Sequence, residues 1–386
     1  MIEEVESRKL KNMEFSFTEE QEALRELARQ ILEDHVTQER LKAVEKDPEW
    51  FDRKVWGELA KANLLGVAIP EEHGGGGCGL IELCLLLEQV GRAVAPVPAL
   101  ATLVLGALPI AEFGSNEQRR RWLPRVAAGD AVLSAALVEA GNDDPAGPTT
   151  SARRDGAGWR LDGVKVCVPA GHLAERILVP ARTGEGKVGV FLLDPQAKGV
   201  ARERQVTTAG EPQVRLALSG ALVPDAEVLG DPTGGRPIVE WMNQRALVAL
   251  CAVQAGVTDR ALRITAEYTS KREQFGKPLA TFQAVAQRAA DAYIDVEAVR
   301  WTMWQAAWRL AAGRPAADEV AVAKFWAADA GHRVTYAAQH LHGGIGLDVD
   351  YPVHRYFVWS KQIELALGSA TRQLLRLGAA MAAEGH

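Results

Sequence analysis

The sequence predicts a mainly α-helical protein with a β domain in its middle. The chain has 386 residues, more than the roughly 250–300 at which a single core stops growing. Apolar residues recur at helical spacing towards both ends, and short β-branched runs separated by Gly and Pro lie between them. We expect an N-terminal helical domain over residues 1–130, a middle β domain over 131–230 and a C-terminal helical bundle over 231–386.

Composition and charge narrow the class of protein. The chain is 47% hydrophobic and 24% charged, with a net charge of −6, and no basic stripe of the kind that binds nucleic acid stands out. The first fifteen residues are charged and lack a signal-peptide core. No apolar run approaches the ~18 residues of a membrane span. We expect a cytoplasmic protein.

Helix signals mark the N-terminal domain. Thr18 and Gln21 have the spacing of a capping box before "EALRELARQILEDH", in which apolar residues follow at helical spacing. A second helix is predicted to begin at Ser115, in "SNEQRRRWLPRVAAG".

The middle and C-terminal parts differ in the spacing of their apolar residues. "GWRLDGVKVCV", "ERILVPAR", "KVGVFLLD" and "VRLALSGALV" are alternating or β-branched runs, which predict a small antiparallel β domain. From about residue 237, three long stretches with helical periodicity predict three long helices.

Several common motifs are absent or misleading. "GGGGCG" at 74–79 satisfies GxGxxG, but the polar "PEEH" precedes it and no acidic residue follows ~20 positions on. We interpret it as a flexible connection between helices. The chain contains no GxxxxGK[ST], HExxH or GxSxG, and its eight His are scattered, so no metal site is predicted.

Two stretches among the C-terminal helices indicate a phosphate site. "QHLHGGIGL" places Gly343 and Gly344 where each costs roughly 0.5–1 kcal/mol of helix stability relative to Ala. Bare backbone beside a helix terminus lets amide N–H groups approach a phosphate closely.

The second stretch, "KREQFGKPLATFQ", brings Arg272, Phe275 and Gln283 to a helix junction. The Arg272 guanidinium offers a fork of donors that matches phosphate oxygens. Together the two stretches describe a pyrophosphate clamp without a Rossmann unit. The alternative interpretation is a tight helical corner with a surface arginine.

In this order, on a helical–β–helical chain of this length, the two stretches resemble the acyl-CoA dehydrogenase family. The similarity runs from about residue 14 to 380 and includes "LGVAIPEEHGG", "FGSNEQRRRWLPRVAAGD" and "VPDAEVLG". The resemblance implies an N-terminal helical domain, a β-barrel-like middle domain and a C-terminal four-helix bundle. It also implies FAD as cofactor, acyl-CoA thioesters as substrates and an electron-transfer partner.

In the family, a carboxylate removes the substrate α-proton while the β-hydrogen passes to flavin N5. The flavin spans a subunit interface, where one subunit holds the nucleotide end of its neighbour's FAD. The family usually has Gln three residues before the first glycine, whereas this chain has His340 there. By resemblance the cofactor-binding roles fall on Arg272, Phe275, Gln283, His340, Gly343 and Gly344.

The positions of the family's catalytic glutamate do not carry an acid in this chain. One falls on Leu367 in "IELALGSATRQ" and the other on Gln244 in "WMNQRALVAL". Leu has no acid–base chemistry, and an amide does not accept the α-proton at a useful pKa. Glu364, about 4.5 Å along a helix from Leu367, and Glu240, about 6 Å from Gln244, are possible substitutes; the alternative is that both are partly solvated helix acids.

The expected flavin face is altered as well. "VCVPAG" stands where the family has a "WIT"-like strand, so Cys167 replaces Trp and Pro169 replaces Thr. Proline has neither a hydroxyl nor an N–H. The residues that differ from the family's are therefore those that would face this chain's own flavin ring. The residues that would bind a neighbouring subunit's FAD are largely the same as in the family.

Three hypotheses follow. The leading one is the base-lacking subunit of a heteromeric α2β2 acyl-CoA dehydrogenase, resembling those of actinobacterial steroid side-chain catabolism, that completes the FAD site of a base-carrying partner. The second is a complete homotetrameric dehydrogenase with a displaced base, Glu364 or Glu240. The third is a redox-silent subunit that binds a CoA ester or serves as a scaffold.

Overall fold

The computed structural model describes residues 16–383, so the charged segment at 1–15 lies outside the described residues. Helices come first, then a sheet, then helices again, which confirms the predicted fold class. Both predicted domain limits, at 130 and 230, fall in connections between elements. The capping box of Thr18 and Gln21 and the N-cap Ser115 are present as predicted.

Between residues 16 and 130, the structure has six α-helices and one π-helix. The π-helix, Leu100–Ala107, runs directly into the helix that follows it. The α-helices are α1 Glu19–His35, α2 Gln38–Glu45, α3 Arg53–Lys61, α4 Leu80–Ala93, α5 Leu108–Phe113 and α6 Asn116–Ala127. Before α4, the segment 74–79 was expected to be a flexible connection, but it is ordered, because the amides of residues 76–78 bond back to carbonyls at 66–69.

The middle part is one eight-stranded sheet in the order β6-β7-β3-β2-β4-β5-β8, with β1 paired to β4. The expectation of an antiparallel domain was wrong in one respect, because β1 and β2 both pair with β4 in parallel. The strands are β1 Leu133–Ala135, β2 Ser151–Asp155, β3 Gly158–Pro169, β4 Arg176–Gly184, β5 Lys187–Leu193, β6 Val200–Val206, β7 Pro212–Pro224 and β8 Val228–Leu229.

Between residues 231 and 383, the structure has the three long helices that the periodicity predicts and two shorter ones. A small hairpin, β9 Glu273–Gln274 and β10 Lys277–Pro278, separates the first two long helices, and a 3-10 turn, Gly343–Leu347, follows the third. The helices are α7 Arg236–Lys271, α8 Gln283–Ala311, α9 Ala317–His342, α10 Val353–Leu365 and α11 Ala370–Ala383.

The two helical parts share one hydrophobic core, while the sheet has its own. Helices α4 and α7 cross with their backbones in contact: a Cβ added to Gly256 would lie 1.9 Å from the Glu88 carbonyl oxygen, and one added to Gly91 would lie 2.0 Å from that of Val253. Only glycine allows this approach. It fixes α4 and α7 as two walls of the cavity described below.

Within the described range, no helix is both long and apolar enough to cross a membrane. The same residues contain no group of three or more His, Cys, Asp and Glu side chains that is arranged to hold a metal ion.

Candidate functional site: a central cavity and a glycine corner

A cavity of about 460 Å³ lies where the three parts of the molecule meet. Its walls come from α4, the π-helix, β3, the loop between β6 and β7, α7 and the end of α10. We call it the central cavity. One residue from each wall defines it: Leu87, Leu105, Pro169, Glu211, Leu250 and Leu367.

Three residues that line the central cavity have left-handed backbone although they are not glycine. Trp50, Cys167 and Leu367 have φ of 49°, 52° and 54°. Such conformations cost of order 1–3 kcal/mol each and tend to occur at functional sites. Within residues 16–383 only four other non-glycine residues have positive φ, so the cavity wall concentrates this strain.

The β3 wall offers few hydrogen-bond donors to a ligand. A bulge between Lys165 and Val168 turns the strand at Cys167, whose N–H already donates to Gln205 Oε1 at 2.9 Å. Pro169 has no N–H, and its carbonyl accepts from the Ser134 hydroxyl at 2.5 Å. The sequence analysis singled out Cys167 and Pro169, and the structure places both on this wall.

The structure separates the two family base positions. Leu367 lines the central cavity, in the turn after α10. Gln244 lies on α7, partly buried, and is not among the residues that line the cavity, although Ala246 and Leu250 of the same helix are. Neither position supplies a proton acceptor to the cavity.

The two proposed substitutes also lie outside the cavity lining. Glu364 accepts a hydrogen bond from Lys361 Nζ at 2.6 Å and lies 3.6 Å from His332 Nδ1. Glu240 lies in the first turns of α7, with a half-exposed side chain 3.3 Å from Arg236 Nη1. Both acids fit the alternative interpretation of partly solvated helix acids.

Sequence reasoning missed Glu211. It is the one carboxyl group among the described residues that line the central cavity, and no Lys, Arg or His lines it. Burial raises the pKa of Glu211. Its carboxylate accepts from Gln362 Nε2, and the Thr207 hydroxyl lies 2.6 Å from Gln362 Oε1. No local pattern in "TTAGEPQ" indicates that Glu211 lines a cavity, because only the fold brings this loop against α10.

A buried lysine holds the end of α10 in place. Lys324 Nζ donates to the carbonyl oxygens of Ile363 at 2.8 Å and Glu364 at 3.2 Å, which are among the last carbonyls of that helix. Burial lowers the pKa of Lys324 to about 8. This cap fixes the turn that carries Leu367.

The two stretches chosen from sequence meet at one end of the helical bundle. We call this region, which contains Arg272, Phe275, Gln283, Gly343 and Gly344, the glycine corner. Arg272 follows the last residue of α7, Gln283 begins α8 and Gly343 follows the last residue of α9. The ends of α7 and α9 are joined by Tyr268, whose ring stacks on His342 with centroids 4.4 Å apart.

The glycine corner is open and polar. Phe275 is 93% exposed at the tip of the hairpin, and a Cβ added to Gly343 or Gly344 would meet no atom within 4 Å. The Arg272 guanidinium makes no hydrogen bond or salt bridge to other residues of the 16–383 range. His340 contacts Arg288 through its Nδ1. The glycines follow the C-terminus of α9, which is the negative end of that helix dipole. The positive helix end at this corner is the N-terminus of α8, at Gln283.

Two buried polar atoms beside the glycines lack a partner. Gln339 Oε1 and His342 Nε2 are buried and make no hydrogen bond within the described part of the chain. Buried polar atoms are normally satisfied, so these two atoms, the exposed guanidinium and the open glycines fit the polar end of a bound nucleotide.

The chain belongs to the acyl-CoA dehydrogenase family. Residues 18–130 match the N-terminal domain of acyl-CoA dehydrogenases and residues 234–382 match their C-terminal domain. The chain is therefore an FAD-dependent oxidoreductase by family, and the family's fold agrees with the architecture described above. The resemblance drawn from the sequence is confirmed.

Particular relatives narrow the comparison. The chain is 40% identical to the acyl-CoA dehydrogenase FadE27 of Mycobacterium tuberculosis, over 96% of this chain and 99% of the relative. It superposes on a chain of the Tcur3481–Tcur3483 steroid acyl-CoA dehydrogenase with 47% identity and a TM-score of 0.89, covering 95% and 99%. A chain of the ChsE4–ChsE5 complex from M. tuberculosis gives 42% identity and a TM-score of 0.90, covering 96% and 99%.

FAD, when bound, supplies the hydride acceptor for this chemistry. The glycine corner fits its nucleotide end, and Arg272, Gln283 and the amides near Gly344 are the groups that would hold it. The central cavity fits its ring less well, because β3 presents Pro169 and an already occupied Cys167 amide.

Proposed function

We propose that this chain is the base-lacking subunit of a heteromeric, steroid-type acyl-CoA dehydrogenase. It lends its glycine corner to the FAD of a related, base-carrying partner, in an α2β2 assembly. One observation carries the proposal: the cavity that corresponds to the chain's own active site presents Leu367 and Pro169 where the chemistry needs a proton acceptor and a hydrogen-bond donor.

The surface of the bundle supports a partner subunit. Aromatic and aliphatic side chains on α8 and α9 are exposed, namely Tyr293, Ile294, Trp301, Trp308 and Tyr336. Large apolar side chains on one surface mark protein–protein interfaces. Two of the similar solved structures are named as pairs of chains, Tcur3481–Tcur3483 and ChsE4–ChsE5, and a heteromeric assembly of this chain agrees with that likeness.

Reconstitution with a base-carrying partner tests the proposal. We expect an acyl-CoA to bleach the flavin absorbance of the mixed complex under anaerobic conditions, and to have no such effect on this chain alone. Replacing the partner's catalytic Glu by Gln should abolish the bleaching, because the partner supplies the base. A mixed complex that binds acyl-CoA but never reduces flavin would instead identify a redox-silent subunit.

A complete homomeric dehydrogenase is the second candidate, and Glu211 favours it. This carboxyl group lies in the central cavity, whereas Glu364 and Glu240 do not. A homomeric enzyme would turn over acyl-CoA without a partner, and Glu211→Gln would abolish that turnover. Absence of turnover by the purified chain, with FAD supplied, would exclude this candidate.

A further inference from the structure

The central cavity has the size and walls of a binding site for a small molecule. Its volume of about 460 Å³ lies within the range of drug-sized ligand pockets. Apolar side chains form most of its lining, and α4, the π-helix and α7 contribute aliphatic ones. At one end Trp50 and Trp359 lie with ring centroids 6.0 Å apart. Such walls favour an apolar ligand.

The charge of the cavity restricts the ligand further. Among its described lining residues there is one ionisable carboxyl group, Glu211, and no cation. A phosphate or carboxylate placed inside would be desolvated without an opposite charge, which is strongly unfavourable. A neutral ligand avoids that cost.

The hydrogen bonds around Glu211 leave it able to donate. Gln362 Nε2 donates to Glu211 Oε2, and Gln362 Oε1 is occupied by the Thr207 hydroxyl at 2.6 Å. Burial raises the pKa of Glu211 and outweighs the hydrogen bonds from the Gln362 and Gln213 side chains, which lower it. In the protonated acid, the remaining oxygen carries an O–H. The loop that carries this donor also brings Thr207, Thr208 and Gln213 to the cavity, whose helical walls are largely apolar.

We propose that the central cavity binds a neutral, largely apolar molecule whose carbonyl or hydroxyl oxygen accepts a hydrogen bond from the Glu211 carboxyl group. The site is distinct from the glycine corner. The inference requires neither FAD nor a partner subunit, so it stands or falls independently of the proposed function.

Titration calorimetry of the full-length chain with a matched pair of ligands tests this inference. Androst-4-ene-3,17-dione is a rigid neutral diketone, and 3-oxoandrost-4-ene-17β-carboxylate has the same ring skeleton with a negative charge. We expect saturable binding of one diketone per chain and at least tenfold weaker binding of the carboxylate. Equal affinity for both ligands, or no saturable binding of the diketone, would overturn the proposal.

Variants locate the site. Glu211→Leu should weaken diketone binding at least tenfold, because the donor is lost, whereas Glu211→Gln keeps a donor and should stay within about threefold of the original affinity. If Glu211→Leu does not fold, Ala209→Trp gives a second test, since Ala209 lines the cavity from a partly exposed loop. Unchanged binding by a folded Glu211→Leu or Ala209→Trp variant would show that the ligand lies elsewhere.

Discussion

The central cavity and the glycine corner differ in what each can offer a cofactor. The cavity is largely apolar, and none of its described lining residues is a cation. On β3, the Cys167 N–H already donates to Gln205, and Pro169 has no N–H. The corner is exposed and polar, with an arginine, a helix N-terminus and open glycine backbone. Under the proposed function, the corner would hold the phosphates of a nucleotide and the cavity would not support flavin chemistry. Two regions of one fold can therefore differ sharply in the polar groups that they offer.

The largest expected effect concerns the support behind the cavity wall. Lys165 and Glu139 form a fully buried ion pair at 2.7 Å, one residue from cavity-lining Val138. Burial opposes ionisation of Glu139, but the Lys165 ammonium and the hydrogen bonds it receives outweigh burial and lower its pKa. Lys165→Met leaves this carboxylate unpaired and should cost about 3–5 kcal/mol.

Urea denaturation measures this loss. Lys187→Met on β5 of the same sheet is the matched control, because Lys187 is exposed and its replacement should change stability by less than about 0.5 kcal/mol. Equal effects of the two substitutions would show that the buried pair does not support the wall.

A pH effect on stability is expected next, from Lys324. Its pKa is lowered to about 8 in the folded protein, whereas the unfolded chain titrates near its usual value of 10.5. The unfolded state therefore binds more protons between these pH values, so stability rises with pH across that window and is lost as pH falls through about 8. At about 1.4 kcal/mol per pKa unit, the full rise is about 3 kcal/mol.

Denaturation at pH 8 and pH 10 of the original chain and of Lys324→Met reveals this contribution. From pH 8 to pH 10, the free energy of unfolding of the original chain should rise relative to that of Lys324→Met. A constant difference would mean that Lys324 remains charged in the folded protein.

Arg272 gives the sharpest test of the glycine corner. Arg272→Ala should weaken FAD retention by the mixed complex about 10- to 100-fold, since a hydrogen bond to a charged group contributes about 1.5–3 kcal/mol. Lys271→Ala, at the adjacent exposed position, should leave FAD retention unchanged. If the two variants lose FAD equally, a general loss of positive charge explains the result and Arg272 has no specific role.

A smaller effect is expected from Gly344→Val. The added side chain meets no protein atom within 4 Å of its Cβ, so the melting temperature should change little while FAD binding falls about tenfold. Gly57→Val is the control at a distant glycine with equally open surroundings. Wild-type FAD affinity of a folded Gly344→Val complex would place the cofactor elsewhere.

The smallest effects should come from Glu364→Gln and Glu240→Gln. Neither side chain lines the central cavity, so turnover of the mixed complex should change less than about twofold. A loss of turnover by about 100-fold in either variant would show that this glutamate acts in catalysis.

Elements with local signals were predictable from the sequence. Thr18 and Ser115 begin helices as expected, and the periodic stretches after residue 237 form α7, α8 and α9. The glycine corner could be chosen because glycines and a Gly–Lys–Pro break, the latter near Arg272, interrupt the long helices. Each of these features depends on residues that are close together in the chain.

Features that depend on distant residues were not predictable in this way. The parallel pairing of β1 and β2 with β4 leaves no local mark. Glu211 reaches α10 across 151 residues of sequence. Whether Gln244 lines the cavity depends on which face of α7 is turned towards it. Because α7 is buried on nearly all sides along its middle, its apolar pattern does not reveal that face.

The amount of FAD per chain tests the central claim most directly. FAD absorbance and protein concentration would be measured for this chain purified alone and for its complex with a base-carrying partner. The account predicts little flavin on the chain alone and one FAD per pair of chains in the complex, lost on Arg272→Ala. One tightly bound FAD per chain in a homo-oligomer of this polypeptide would contradict it.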